Sequence, residues 1–337
     1  MSAEKHYSTD VVIIGAGPVG LFGVFECGML KMKCHVVDSL EHTGGQCTAL
    51  YPEKPIYDIP GWPVISGGDL IARLEEQAAP FKPVYHLNQQ VVKLAGAAGN
   101  YSVTTSAGTE ISCKAVIIAG GAGAFGPNKP PLANLAQFEG KSVFYMVKKR
   151  DDFKGKTIAI AGGGDSAVDW AVSLADVAQK IYFIHRRDKF RAAPESIDKL
   201  QAIAKTGKIE MVIPYQLHAL HGQGGKLDGV EVADLDGKTK MLKADVLLPF
   251  FGLATQLGPI AEWGLNVEQH HIPVNPATSE TSLKGVFAVG DIATYPRKLK
   301  LILTGFSEVA MAAHAIHPLV FPSEALHFVY STTKGVP

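Results

Sequence analysis

The sequence predicts an α/β protein with two Rossmann-like dinucleotide-binding domains. A glycine-rich turn follows a short β-branched strand near the N-terminus and opens an apolar segment of helical length, and this order recurs in the middle of the chain. Each copy ends in a second strand, which completes a βαβ unit. The 337 residues are also too many for one ordinary core and suit two domains of roughly 150 residues each.

Composition narrows the functional class. The 32 basic and 32 acidic residues give a formal net charge of zero, which argues against a dedicated nucleic-acid-binding protein. Four cysteines in a chain of this length do not make a disulfide scaffold. The first apolar run, Val11–Ile14, is too short for a signal peptide, and no stretch approaches the ~20 apolar residues of a membrane span. We therefore expect a cytoplasmic protein without a membrane partner.

The first glycine turn matches the dinucleotide fingerprint. Its first glycine permits a tight turn, and its second lets the backbone approach a phosphate. The N-terminus of the following helix supplies free N–H donors and positive potential. Asp38 stands at the end of the second strand, where a carboxylate accepts hydrogen bonds from adenosine ribose hydroxyls. The residues of this predicted site are Gly15, Gly17, Val19, Gly20 and Asp38.

The second glycine turn predicts a different nucleotide. The offset that leads from Gly15 to Asp38 leads here from Gly162 to His185, which two arginines follow. A carboxylate at this place would repel a 2′-phosphate, whereas paired guanidiniums bind phosphate through charge-assisted bonds. The sequence therefore favours NADPH at this site, although the arginines could also be solvated surface charges. The predicted residues are Gly162, Gly163, Gly164, Asp165, Ser166, His185, Arg186, Arg187 and Arg191.

Two dinucleotide sites in one chain suggest an electron relay. Nicotinamide carries a hydride, and a flavin accepts it and releases electrons singly. We therefore expect FAD in the first site and NADPH in the second. Asp291 follows the strand Gly285–Val289 and would hold the ribityl or pyrophosphate chain, or else serve as the N-cap of a helix.

Several motifs together resemble one family over nearly the whole chain. They are GAGPVG from Gly15, GGQCTALYPEKPIYDIPGWP from Gly44, GGGDSAVDWA from Gly162, HRRDKFRA from His185, GVFAVGD from Gly285 and KLILTGFSEVA from Lys300. They are similar to those of ferredoxin–NADP⁺ reductases of the thioredoxin-reductase-like type. The resemblance implies three-layer ββα domains, FAD and NADP(H) as cofactors, a ferredoxin or flavodoxin as partner, and a homodimer.

The resemblance also implies roles and boundaries. Tyr57 would stack on one face of the flavin ring, and Tyr330, in a C-terminal extension, on the other. The FAD domain would comprise residues 1–122 and 286–337, and the NADPH domain residues 123–285. The other residues that the resemblance places around FAD are Asp38, Gln46, Tyr51, Val91, Phe125, Asp291 and Thr332.

The chain departs from thioredoxin reductases in lacking their Cys-x-x-Cys motif. The matching region, 142–153, has no cysteine, and no cysteine follows Cys113. Without a dithiol, electrons cannot leave by disulfide exchange. Cys47 has no partner in sequence near the predicted flavin, so we interpret it as a buried structural thiol.

Other interpretations stay open. The chain could be a flavin or quinone reductase (a diaphorase), or a redox-sensing protein that binds both nucleotides without rapid turnover. Two basic runs, Lys148–Arg150 and Arg297–Lys300, could dock an acidic partner or could be solvated surface. The histidine pairs His218/His221 and His314/His317 lack obvious co-ligands, so we expect no metal site.

Overall fold

The computed structural model describes residues 5–121, 123–325 and 335. The strands are, in chain order, β1 (His6–Ser8), β2 (Val11–Ile14), β3 (Cys34–Val37), β4 (Pro55–Ile56), β5 (Ile65–Ser66), β6 (Val84–His86), β7 (Val91–Ala97), β8 (Asn100–Thr105), β9 (Glu110–Cys113), β10 (Ala115–Ile118), β11 (Ala124–Pro127), β12 (Thr157–Ala161), β13 (Lys180–Ile184), β14 (Ile209–Val212), β15 (Gln216–Gln223), β16 (Lys226–Ala233), β17 (Thr239–Leu242), β18 (Val246–Pro249), β19 (Leu253–Gln256), β20 (Ile272–Pro273), β21 (Val286–Ala288) and β22 (Ala293–Thr294). The helices are α1 (Pro18–Met29), α2 (Gln46–Ala49), α3 (Gly67–Ala78), α4 (Leu135–Phe138), α5 (Asp165–Leu174), α6 (Pro194–Lys205) and α7 (Ile302–Val320).

The chain forms two compact units. The first takes in the described residues up to Phe125 and from Thr255 onwards, and the second is Gly126–Ala254. The sequence interpretation had assigned residues 255–285 to the second domain. They belong instead to the first unit, because Ile260, Leu265 and Ile272 pack in its core.

The first unit has three layers around a parallel sheet. The strand order is β21-β10-β2-β3-β6. The apolar run of β2 is buried on both faces, as expected for a strand of a parallel sheet. Val11 and Ile13 pack towards α1 and α7, whereas Val12 and Ile14 pack towards the antiparallel strands β7 to β9. This alternation produces the expected ββα layering.

The segment before the antiparallel meander, β7 to β9, contributes to the parallel sheet. Within residues 84–97, β6 pairs in parallel with β3, and β7 pairs with β8 in the meander. The last helix of the unit, α7, runs from Ile302 to Val320 and includes Pro318.

The second unit repeats the architecture on a smaller scale. Its parallel sheet has the order β14-β13-β12-β18, and β15 to β17 form an antiparallel sheet. Ala159 and Ala161 of β12 share a core with Val230 and Val232 of β16. Both glycine turns therefore follow a buried strand at the carboxyl edge of a parallel sheet, where nucleotides bind in such folds.

A buried histidine pair joins β3 to β6. Nδ1 of His35 lies 3.0 Å from Nε2 of His86, and the ring of Tyr7 packs edge-on against both. Burial lowers the pKa of both imidazoles. The charge of His86 lowers the pKa of His35 further, and that of Lys5 lowers the pKa of His86 further. Both rings are therefore expected to be neutral in the folded protein at neutral pH.

Acid should destabilise the first unit through this pair. A histidine whose pKa is lowered by folding contributes stability above its unfolded pKa of about 6.5, and that stability is lost as the pH falls below this value. We expect a loss of at most about 1.4 kcal/mol per pH unit for each ring. In urea unfolding of the flavin-free protein between pH 7.5 and 5.5, His86→Gln should flatten this dependence. The exposed His42→Gln is the control, and equal slopes in all three proteins would contradict the assignment.

Candidate dinucleotide-binding sites

The turn between β2 and α1 has the geometry of a phosphate-binding loop. Gly15 has a φ of 110°, and a Cβ atom there would lie 2.4 Å from the Ala119 carbonyl oxygen. A Cβ atom on Gly20 would lie 1.9 Å from the Gly15 carbonyl oxygen. Only glycine at both positions lets the chain turn beneath β10 and lets α1 pack on the turn.

The N-terminus of α1 is open. Gly17 caps this helix without a side-chain hydrogen bond, and no heavy atom of the described residues lies within 4 Å of a Cβ atom built on it. The first N–H groups of a helix have no intrahelical acceptor. Open space in front of such donors suits a phosphate group.

Asp38 is tied to the glycine turn. Its Oδ2 atom accepts a hydrogen bond from the Ala16 amide at 2.6 Å, and its Oδ1 atom accepts one from the Leu40 amide at 2.8 Å. Burial raises the pKa of this carboxyl group, while the amides of Leu40, Ala16 and Ser39 oppose the shift. A carboxylate has about four acceptor sites, so Asp38 retains acceptors for ribose hydroxyls.

These residues line one end of a long cleft in the first unit. Its empty space of about 1170 Å³ includes open solvent. Its wall extends from the glycine turn and Asp38 to Leu301 and Ile302, where α7 begins. The structure brings together in its wall eight of the predicted FAD residues: Gly15, Gly17, Val19, Asp38, Gln46, Tyr51, Val91 and Asp291.

The cleft also contains two protonated groups. The Cys47 thiol lies 3.9 Å from the Tyr51 hydroxyl, and burial raises the pKa of Cys47 to about 11. Burial, Cys47 and Asp291 raise the pKa of Tyr51 above its usual range. A thiol with a raised pKa is a poor nucleophile. The burial expected for Cys47 is confirmed.

Several predicted residues are not in the cleft wall. Gly20 lies beneath the turn and acts through packing. Tyr57 is 69% exposed, in the loop between β4 and β5. Phe125 belongs to β11, and its side chain lies outside the described part of the structure. Tyr330 and Thr332 lie outside the described residues.

The sequence interpretation missed other parts of the cleft. Gln89 and Gln90 line it beside Asp38, and the Gln89 amide donates to the Asp38 carbonyl oxygen. Leu301 and Ile302 line it where α7 begins. Gln89 and Gln90 belong to no motif, and the pairing of β6 with β3 brings them to the site. Leu301 and Ile302 stand in the KLILTGFSEVA motif, but the resemblance gave them no role. Gly120 and Gly121 carry a readable signal, a glycine pair after a buried strand.

The second glycine turn has the same construction. Gly162 has a φ of 152°, and a Cβ atom there would lie 2.6 Å from the Phe250 carbonyl oxygen. A Cβ atom on Gly163 would lie 2.2 Å from the His185 ring. Gly164 caps α5, and no heavy atom of the described chain lies within 4 Å of a Cβ atom built on it. The acidic Asp165 in the first turn accepts a hydrogen bond from the Ala193 amide at 2.9 Å.

That hydrogen bond belongs to a loop that brings arginines to the turn. The Arg191 amide donates to the Gly163 carbonyl oxygen at 2.7 Å, and the His185 ring stacks on Phe190. Arg186, Arg187 and Arg191 are exposed. Burial lowers the pKa of His185, and the three guanidinium charges lower it further. All three predicted cations therefore act on His185, and the Arg191 backbone is bound to the turn. Ser166, the last of the predicted NADPH residues, lies in the first turn of α5.

One residue of each basic run is engaged within the protein, whereas Lys148, Lys149, Arg297 and Lys300 are exposed. Arg150 donates two hydrogen bonds to the Ser173 carbonyl oxygen and pairs with Asp176. Lys298 is buried in an ion pair with Glu308. Among residues 5–121 and 123–325, no group of three or more His, Cys, Asp or Glu side chains is arranged to hold a metal ion. His221 contacts Glu231, an acidic neighbour that the sequence did not reveal.

No helix within the described residues is both long and apolar enough to cross a bilayer.

Comparisons with known proteins give a matching family and named relatives. Residues 9–315 match the family described as pyridine nucleotide-disulphide oxidoreductase. A ferredoxin--NADP reductase of Rhodospirillum rubrum is 62% identical and aligns with 100% of this chain and 99% of its own. One of Paramagnetospirillum magneticum is 60% identical, with 98% of each chain covered.

Solved structures of thioredoxin reductases share the fold. That of Lactococcus lactis superimposes with a TM-score of 0.80 at 25% identity and covers 93% of this chain and 99% of its own. That of T. acidophilum has a TM-score of 0.80 at 22% identity, with 92% and 98% covered. The two-domain thioredoxin-reductase-like fold predicted from the sequence is confirmed.

Two glycine substitutions should separate ligand binding from folding. Gly17→Ala adds a methyl group in open space, so the flavin-free protein should keep its stability while FAD binding weakens at least tenfold. Gly20→Ala forces a carbon atom against the Gly15 carbonyl and should lower the free energy of unfolding by about 1–3 kcal/mol. The measurements are urea unfolding and FAD titration of flavin-free protein. An FAD affinity unchanged by Gly17→Ala would contradict the placement of the FAD phosphate at this turn.

Proposed function

The chain belongs to the pyridine nucleotide-disulphide oxidoreductase family, and from this premise we propose that it is a ferredoxin–NADP⁺ reductase. This oxidoreductase transfers electrons between NADP(H) and a ferredoxin or flavodoxin by means of FAD. The observation that carries the proposal is the pair of similar glycine turns that have opposite charges beside them, a carboxylate in the first unit and three guanidiniums in the second. Full-length relatives at about 60% identity that carry this name support it.

FAD is assigned to the cleft of the first unit. Its pyrophosphate would lie at the N-terminus of α1 beside Gly17, with the adenosine ribose on Asp38. Asp291 would hold the ribityl or pyrophosphate chain, and Gln46 and Tyr51 would contact the flavin. When bound, FAD supplies the ability to take a hydride from nicotinamide and to release electrons one at a time.

The protein's own groups prepare this site without acid–base chemistry. The buried Asp38 carboxylate is held by two amides, so ribose binding requires no side-chain reorganisation. Tyr51 and Cys47 stay protonated beside the flavin end because burial raises the pKa of both. Val19, Leu301 and Ile302 add apolar surface to the wall and exclude water. Hydride and electron transfer need no general base on the substrate.

NADP(H) is assigned to the second unit. Its pyrophosphate would lie at the glycine turn Gly162–Ser166, and its 2′-phosphate between Arg186, Arg187 and Arg191. Guanidiniums bind phosphate in a bidentate geometry. A carboxylate in place of His185 would repel the 2′-phosphate. Asp38 would repel a 2′-phosphate in the same way in the first site.

The absence of a Cys-x-x-Cys motif supports electron transfer from flavin to an external carrier. All four cysteines precede residue 114, so the second unit has none, and all four are buried free thiols. Disulfide exchange requires an accessible thiolate.

The proposal also covers residue roles, assembly and domain boundaries. Tyr57 and Tyr330 would stack on the flavin, and the other FAD contacts would be Val91, Phe125 and Thr332. The protein would be a cytoplasmic homodimer. Its FAD domain would comprise residues 1–122 and 286–337, and residues 255–285 pack with that domain.

Removing the two adjacent arginines should change nucleotide preference. In Arg186→Ala/Arg187→Ala, the KM for NADPH should rise at least tenfold while that for NADH changes little, because only NADPH carries the 2′-phosphate. Lys205→Ala removes an exposed charge from α6 of the same unit and serves as the control. Steady-state rates with both nucleotides give the comparison. Equal effects on both nucleotides would refute the 2′-phosphate assignment.

The choice of acceptor separates the proposed function from its alternative. Purified protein should carry FAD that NADPH reduces under anaerobic conditions, and ferredoxin should then be reduced with a higher kcat/KM than quinones or dyes. A preference for quinones would identify a diaphorase instead. Slow turnover with every acceptor would identify a redox-sensing binding protein.

A further inference from the structure

A buried ion pair lies directly behind the cleft wall. The side chains of Lys298 and Glu308 are only 5% and 6% exposed, and they contact each other. Removing two charges from water costs several kcal/mol, which their attraction offsets only with good geometry and further hydrogen bonds. By itself, a buried ion pair is therefore weak evidence that the pair stabilises the folded protein. The other contacts of Lys298 and Glu308 show which part of the chain they position.

Glu308 holds the loop that carries Asp291. Its Oε2 atom accepts a hydrogen bond from the Gly290 amide at 2.7 Å. Its Oε1 atom accepts one from the Tyr295 hydroxyl at 2.7 Å and another from the Lys298 ammonium. Both oxygens are thus committed to residues 290–298, which connect β21 to α7.

Packing brings the same helix face against the glycine turn of the first site. A Cβ atom on Gly305, one turn before Glu308, would lie 2.4 Å from Cγ2 of Val19 and 3.3 Å from the Cα atom of Gly290. Val19, Gly290 and Asp291 all line the cleft. Glu308 is therefore separated from the cleft by one layer of backbone.

The rest of the network is organised around the carboxylate charge. Burial and Glu308 raise the pKa of Tyr295 to about 12, so this hydroxyl remains a donor. The Lys298 ammonium also lies over the Tyr295 ring, 5.3 Å from its centroid. One carboxylate thus fixes a backbone amide, a phenol and an ammonium ion on a single loop.

We infer that Glu308 and Lys298 are positioning residues for FAD: Glu308 fixes Gly290 and Asp291 against the cofactor, and the balanced charges set the electrostatic potential at the flavin. The inference rests on the proposed function, because it assumes FAD in this cleft. Charges near a flavin tune its electronic properties. In a region of low dielectric constant, an uncompensated charge acts over a longer distance than in water.

Opposite charge changes should shift the flavin midpoint potential in opposite directions. Glu308→Gln leaves the Lys298 ammonium uncompensated, which favours the reduced flavin and raises the potential. Lys298→Met leaves the Glu308 carboxylate uncompensated and lowers it. The double variant Lys298→Met/Glu308→Gln removes both charges and should return the potential close to that of the wild type. Tyr295→Phe removes a donor to the same Oε1 atom without changing any charge and should leave the potential unchanged.

The experiment measures potentials by anaerobic dye-coupled titration of the FAD-loaded proteins, and FAD affinity by titration of flavin-free protein. Glu308→Asp keeps the charge but shortens the side chain, so FAD binding should weaken at least fivefold without a change in potential. This variant tests the inference even when the single charge variants fail to fold.

The possible outcomes distinguish a failure of the proposed function from a failure of the inference about Glu308 and Lys298. A wild-type protein that binds no FAD would overturn the proposed function itself. A wild-type protein that binds FAD, with both charge variants shifting the potential in the same direction or not at all, would overturn the role of the charge pair. Unchanged FAD affinity in Glu308→Asp would overturn the positioning role of Glu308.

Discussion

The hydrogen bond from the Ala16 amide to Asp38 is the interaction on which the first site depends. It joins the turn after β2 to the residue after β3, so one contact fixes the proposed phosphate-binding turn relative to the proposed ribose-binding carboxylate. The turn can take this shape only because Gly15 has a positive φ and Gly20 carries no side chain against it. The local sequence, the ladder between β2 and β3 and the cofactor site thus share one geometric constraint.

The second unit uses the same geometry with different electrostatics. Its turn also packs against a backbone carbonyl and leaves the N-terminus of a helix open. The loop after β13 is held to the turn by the Arg191 and Ala193 amides, and it brings arginines where the first unit has a carboxylate. On the proposed assignment, a few side chains at the end of the second strand would set the choice of nucleotide, while the two turns share one backbone geometry.

The sequence predicted those parts of the structure that depend on local patterns. The two glycine turns, the buried strands and Asp38 follow from residue types at fixed spacing. The position of residues 255–285 in the first unit does not follow from local patterns. Their apolar side chains pack with those of β2 and the meander, which are distant in sequence. Lys298 illustrates the limit most clearly. Within Arg297–Lys300 it has the pattern of a surface charge, and only the path of α7 places Glu308 beside it.

Selective binding of a dinucleotide flavin is the central claim, and it can be measured directly. Flavin-free protein should be titrated with FAD and with FMN, which has the same ring and ribityl chain but lacks adenosine. If the glycine turn and Asp38 hold pyrophosphate and ribose, FAD should bind on the order of a hundredfold more tightly, about 2.7 kcal/mol. Equal affinities for FAD and FMN would contradict the account.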